Sequence, residues 1–142
     1  VLRANLLETG GIFTCGQFQC LCIIVTIFDP NASNWSQCWL THVSSQHAQE
    51  VSKIIAKITD ANYQNAHVAI AGKPAGLNVM NTIKDAFLGT PVPNRPGQLA
   101  PLQVPFNPNQ KKPESILIYA GGSAAAGFGF GINKAGRVGE MV

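Results

Sequence analysis

The run CLCIIVTIF, residues 20–28, lies within the longer segment GIFTCGQFQCLCIIVTIFDPNASNWSQCWLTH of residues 11–42. It is continuous in apolar and β-branched side chains, with no polar residue at alternate positions. Such a run predicts a strand covered on both faces. A domain built around it needs material above and below, which is a layered arrangement. Asp29-Pro30-Asn31 ends the run with strong turn chemistry. Trp35 to Val43 then reads as a second strand candidate of mixed pattern.

Outward from this segment, Val1 to Gly11 reads as a short lead-in, and the residues around Thr14 as a glycine-containing turn. Ser44 or Ser45 is placed to cap a helix, with Glu50 near its first turn. Val51, Ile54, Ile55 and Ile58 recur at helical spacing, so residues 46–60 are predicted to form an amphipathic helix. Ala66 to Ala71 is a strand stopped by Gly72-Lys73-Pro74. Asn78 to Leu88 is a second helix, with Val79, Ile83, Ala86 and Phe87 as its apolar stripe and Gly89 just past its end. Thr90 to Pro113 holds seven of the nine prolines and is a long loop of the kind that often borders a site. Ile116 to Tyr119 is a strand running into Gly121-Gly122. Residues 128–132 and 137–142 form a terminal hairpin across Asn133 to Gly136. Helices embedded among strands place the chain in the α/β or α+β class. Its 142 residues, free of internal repeats, make one domain over residues 1–142.

Composition narrows the function. Hydrophobic residues make up 46% and allow a proper core, whereas charged residues are only 12%. That is about half the usual charged share, so Asn, Gln, Ser and Thr must make the polar surface. A net charge of +3, scattered along the chain, argues against nucleic acid. Lys111-Lys112 is the only adjacent basic pair, and no aromatic-basic interleaving occurs. No apolar run approaches the length of a membrane span. No secretory signal pattern opens the chain, which starts at Val1 and so reads as trimmed or as a domain of something longer.

The four cysteines, Cys15, Cys20, Cys22 and Cys38, all fall in the first third. That distribution is not a disulfide scaffold, and the spacing is not a zinc pattern. Their ordinary reading is that of small reduced hydrophobes in a core, which suits two or three of them. Cys20 differs because it opens a strand after a loop. A thiol there is rigidly held yet reachable, with backbone N–H groups around it to receive an oxyanion. His42, beyond the turn, is the candidate base, and Thr14 the candidate orienter of its second ring nitrogen. Each also has a plain structural reading, Thr14 as a turn residue and His42 as a hydrogen-bonded edge residue. Cys15 is a rival nucleophile within the loop. His47 reads as a surface residue, and His67 as structural. Gln17 and Gln19 are candidate oxyanion or substrate contacts, or simply solvated loop amides.

Thr14 six residues before Cys20, the run CLCIIVTIFD and a histidine beyond a turn resemble the chemoreceptor glutamine deamidase CheD. The pattern is also similar to Burkholderia lethal factor and to the catalytic domain of cytotoxic necrotizing factor. The similarity covers roughly residues 11–45, and ILIYAGG (116–122) is loosely like a CheD strand ending in paired glycines. Phe18-Gln19 stands where these proteins carry a small pair. The interval of twenty-two residues from Cys20 to His42 implies that Asp29 to Gln37 is an inserted loop.

The resemblance implies a β-sandwich-like fold of mixed sheets flanked by two helices. It implies deamidation of a protein glutamine by Cys20, His42 and Thr14, with no cofactor and no metal. The partner is then a protein bearing a target glutamine, with no nucleic acid and no membrane, and the chain is a monomer. The implied setting is a secreted bacterial effector working in a reducing host cytosol, with the bacterial cytoplasm as the alternative. Two other readings stand beside it. One is a non-catalytic protein-binding module that uses residues 90–113 and the Gly-rich end. The other is a cysteine protease or acyltransferase with the same nucleophile.

Overall fold

The computed structural model describes residues 1–5, 10–14, 20–44, 48–90, 107–122 and 128–141. The strands are β1 (Leu2–Asn5), β2 (Gly11–Thr14), β3 (Leu21–Asp29), β4 (Asn34–Val43), β5 (Ala66–Gly72), β6 (Ser115–Ala120), β7 (Gly129–Asn133) and β8 (Val138–Met141). Helix α1 (Ala48–Ile55) follows β4, and α2 (Leu77–Leu88) follows β5. One sheet has the order β1-β4-β3-β5-β6, and a second has the order β2-β7-β8. All pairings are antiparallel except β5 with β6. The class is mixed α+β.

Strand β3 lies at the centre of the large sheet, and both its faces are covered. Leu21, Ile23 and Val25 pack with Val51, Ile54, Val79, Met80, Ile83 and Phe87 of the two helices. Cys22 and Ile24, on the opposite face, pack with Cys38, Leu40, Ala69, Ala71, Phe130 and Ile132. The layers are therefore helices, five-stranded sheet and three-stranded sheet. Small Ala69 and Ala71 leave room for the Phe130 ring, which is fully buried between the sheets. Dense filling of this kind matters because interiors pack like crystals and lose contacts wherever a void opens.

Several boundaries differ from those read in the sequence, each for a physical reason. Leu2–Asn5 is not a lead-in but an edge strand, paired with Gln37 to Leu40 of β4. Gly11–Thr14 is not a turn but a strand, whose backbone pairs with Phe130 to Asn133 of β7. Residues 29–37 are not an inserted loop. A tight turn at Pro30 to Ser33 joins two long strands, and Asp29 accepts the backbone N–H groups of Asn31 and Ala32 at 3.0 and 3.2 Å. Ser33 takes the left-handed φ of 52° that the turn requires.

Helix α1 ends at Ile55 rather than near residue 60. Its last carbonyls are taken in tighter turns, Lys57 N–H to Ile54 and Ile58 N–H to Ile55. The Asn62 side chain then donates to the Lys57 carbonyl and accepts the Thr59 N–H, which stops propagation. Ile58 stays buried all the same. Helix α2 ends as its sequence predicts, with Gly89 left-handed at φ 65°.

Phe130 is the largest fully buried side chain of the described cluster between the sheets, and Phe130→Ala would open a cavity there. We expect it to lower stability by about 3–5 kcal/mol in urea unfolding. A loss below about 1 kcal/mol would show that the two sheets do not depend on this ring for cohesion.

Candidate functional site

Strand register places the candidate residues relative to one another. In β3 and β4, Cys22 lies directly opposite His42, so their side chains leave the same face of the sheet. That face is the one covered by the second sheet, because Cys22 packs with Phe130 and Ile132. Cys20 stands one residue before β3, on the same alternation as Cys22. The ladder itself begins at Leu21; continued one residue past it, that alternation would set Cys20 diagonal to His42, where paired strands hold Cα atoms about 7–8 Å apart.

The row continues across the sheet. Cys22 is opposite Ala71 of β5, and Ala71 is level with Tyr119 of β6. The Tyr119 ring packs on Phe130 with centroids 5.2 Å apart, and Phe130 is the register partner of Thr14. The strand carrying Thr14 thus ends at the same pole of the sandwich as Cys20 and His42. Cys20 is half-buried, as is His42. Gln17 and Gln19, with Cys15 and His47, lie outside the described residues.

Sequence reasoning missed Lys73. Register pairs Leu21 with Val43 on one side and Cys22 with Ala71 on the other. Lys73, two residues beyond Ala71, extends that row to a position beside Cys20. Its backbone is still extended, at φ −70° and ψ 155°. Only 7% of Lys73 is exposed. A lysine directly after an apolar strand was the available signal, and Gly72-Lys73-Pro74 reads more simply as a strand stop. The paired glycines after β6 converge on the same pole, since the Gly121 N–H donates to the Gly72 carbonyl at 3.0 Å.

The other two described cysteines are unsuited to nucleophilic work. Burial pushes the thiols of Cys22 and Cys38 up to about 12, although a hydrogen bond with Thr26 pulls Cys38 the other way. Desolvation opposes formation of the thiolate, and the thiolate is the reactive form. Among the described cysteines only Cys20 has solvent access.

A second feature occupies the opposite pole. A cleft of about 180 Å³ is lined by Thr26, Trp35, His67, Ser115, Leu117 and Val138, among others. The Nδ1 of His67 lies 2.7 Å from the Ser115 hydroxyl oxygen. Burial pushes His67 below its usual value, and the charge of Glu114 opposes that shift. Neither Cys20 nor His42 lines this cleft.

Among the described residues, no group of three or more His, Cys, Asp or Glu side chains could hold a metal ion. No helix among them is long and apolar enough to cross a membrane. Comparison of the chain with protein-family models, with curated proteins and with solved structures finds no match.

The burial pattern predicts selective thiol chemistry. At pH 8 a thiol titrating near 12 is only about 10⁻⁴ thiolate. Iodoacetamide should therefore modify Cys20 while leaving Cys22 and Cys38 unmodified until the protein is unfolded, as read by peptide mass spectrometry. Native modification of Cys22 or Cys38 at the rate of Cys20 would contradict this arrangement.

Proposed function

We propose that the chain is a protein-glutamine deamidase in which Cys20 is the nucleophile and His42 its acid and base. The observation that carries the reading is register. The half-exposed cysteine directly precedes the strand in which Cys22 faces His42, at the pole where the strand of Thr14 ends, which supports a Cys20–His42 pair. A nucleophile within reach of a base that a third group can orient is the general signature of covalent catalysis. The mixed α+β class with two helices agrees at a coarse level with the CheD-like and necrotizing-factor-like fold that the sequence resembles. That finer fold is part of the proposal.

In the reaction, His42 takes the thiol proton, and the Cys20 sulfur attacks the amide carbon of a glutamine side chain. The carbonyl oxygen becomes an oxyanion, which Lys73 is placed to stabilise together with backbone N–H groups near Cys20. His42 returns its proton to the nitrogen, ammonia leaves, and a thioester remains. His42 then deprotonates a water, which attacks the thioester carbonyl. Glutamate and the free thiol are the products. Thr14 fixes the imidazole by engaging its other nitrogen. Gln17 and Gln19 remain the proposed substrate contacts from the loop before Cys20. The outcome on the target is one new negative charge, enough to mispair a buried interface. The role that fits is a bacterial effector acting on a host protein, with a chemotaxis role as its sibling.

The test is glutamine-to-glutamate conversion in a host-cell protein extract treated with the purified chain, read by peptide mass spectrometry. Cys20→Ala should abolish conversion with an unchanged urea midpoint. His42→Ala should slow it by about 10²–10⁴-fold. Conversion that survives in Cys20→Ala would overturn the reading. Cleaved peptides, or amine adducts at glutamine, would instead assign the same thiol to proteolysis or acyl transfer.

A further inference from the structure

The cleft opposite the Cys20 pole takes no part in the chemistry above, yet it is built with care. Thr26, His67 and Ser115 form one row across β3, β5 and β6, all on the inter-sheet face. That row lies six residues along the strand from Cys20, about 20 Å away at the usual rise per residue. Trp35 reaches it through an irregularity in β4. Ile27 pairs with Gln37, but Asp29 pairs with Asn34, so β4 carries one extra residue against β3. Such a bulge re-aims a side chain. Here it takes Trp35 off the alternation of Trp39, which faces the helices, and packs it with the inter-sheet cluster.

The Trp35 ring is then fixed on two sides. It meets the His67 ring in a T-shaped contact, with centroids 4.9 Å apart and planes at 72°. Its face lies against Gly136, where an added Cβ would come within 2.7 Å of three ring atoms. Gly136 has φ 77° in the β7–β8 turn, and Asn133 holds that turn by accepting the Ala135 and Arg137 N–H groups. His67 is thus braced by an indole and hydrogen-bonded to an exposed serine hydroxyl, beside an open apolar cleft.

We propose that this cleft is a second reactive site, in which Ser115 is the nucleophile and His67 its base, for a small ester with a short apolar acyl chain. The Ser115 oxygen attacks the ester carbonyl carbon while its proton passes to His67 Nδ1. The alkoxide leaves with that proton, and an acyl–Ser115 ester remains. Water, deprotonated by His67, then attacks the acyl carbon and releases the carboxylic acid and free Ser115. The apolar walls from Leu117, Ile132 and Val138 receive the acyl chain. Burial keeps His67 neutral at pH 7, ready to accept a proton, and the Glu114 charge favours the imidazolium once it forms.

The test uses a fluorophosphonate, which phosphonylates an activated serine with loss of fluoride, and p-nitrophenyl butyrate as an ester. We expect one phosphonyl adduct on the peptide bearing Ser115, absent in Ser115→Ala. Its formation should slow by about 10²–10⁴-fold in His67→Asn. Both variants should keep their urea midpoints within the spread of surface substitutions, and Cys20→Ala should label as the parent does. Ester hydrolysis should follow the same pattern. No adduct, an adduct elsewhere, equal labelling in His67→Asn, or hydrolysis lost only in Cys20→Ala would each overturn the proposal.

Discussion

Strand β3 buries both its faces, and that demand organises the whole domain. One face takes the helices α1 and α2, the other the three-stranded sheet. Without the helices Leu21, Ile23 and Val25 would meet water, and without the second sheet Cys22 and Ile24 would, at roughly 25 cal/mol per Å² of apolar surface. The same demand fixes register, because a slip of one residue would exchange the two faces completely. Register in turn decides that Cys22 faces His42 and that Thr26 faces His67. The positions of the chemistry-bearing side chains are thus by-products of core packing. No dedicated scaffold is needed to align them.

The parallel pairing of β5 with β6 adds a polarity to this arrangement. Both strands run the same way, so their entrances, His67 and Ser115, lie at one pole. Their exits, Lys73 and Gly121-Gly122, lie at the other, beside the entrance of β3 and the exit of β4. The two poles differ in character. At one lie Cys20, His42 and the buried Lys73 side chain, with the paired glycines that follow β6. At the other, an imidazole and a hydroxyl sit beside an indole and an apolar cleft. Among the described cysteines, the buried thiols of Cys22 and Cys38 lie between them.

Much of this was legible in the residues. The unbroken run of residues 20–28 announced a doubly covered strand, and helical spacing located α2 with its glycine stop. Asn133 to Gly136 announced the β7–β8 turn. What escaped were features without a local signature. Leu2–Asn5 and Gly11–Thr14 are strands only because distant partners offer them hydrogen bonds. The end of α1 is set by one asparagine side chain, and no periodicity reports that. Asp29 to Gln37 read as a loop because Asn, Ser and Gln dominate it, yet the β3–β4 ladder holds most of it. Among the candidate residues, Cys20 and His42 could be singled out in the sequence, whereas the positions of Lys73 and Ser115 became visible only once strands were laid side by side. The bulge that turns Trp35 is one extra residue in a ladder, which composition does not encode.

The pairing of β2 with β7 joins residue 11 to residue 133, nearly the full span of the chain. Contacts of such separation form late, because the loop they close must lose its freedom before they return any stability. A nascent chain can form the β3–β4 hairpin early, bringing His42 beside the strand that Cys20 precedes. Thr14 has no partner strand until β7 has left the ribosome. The end of the sandwich that holds Cys20 and His42 therefore gains the strand of Thr14 only after β7, more than a hundred residues later in sequence, has been made.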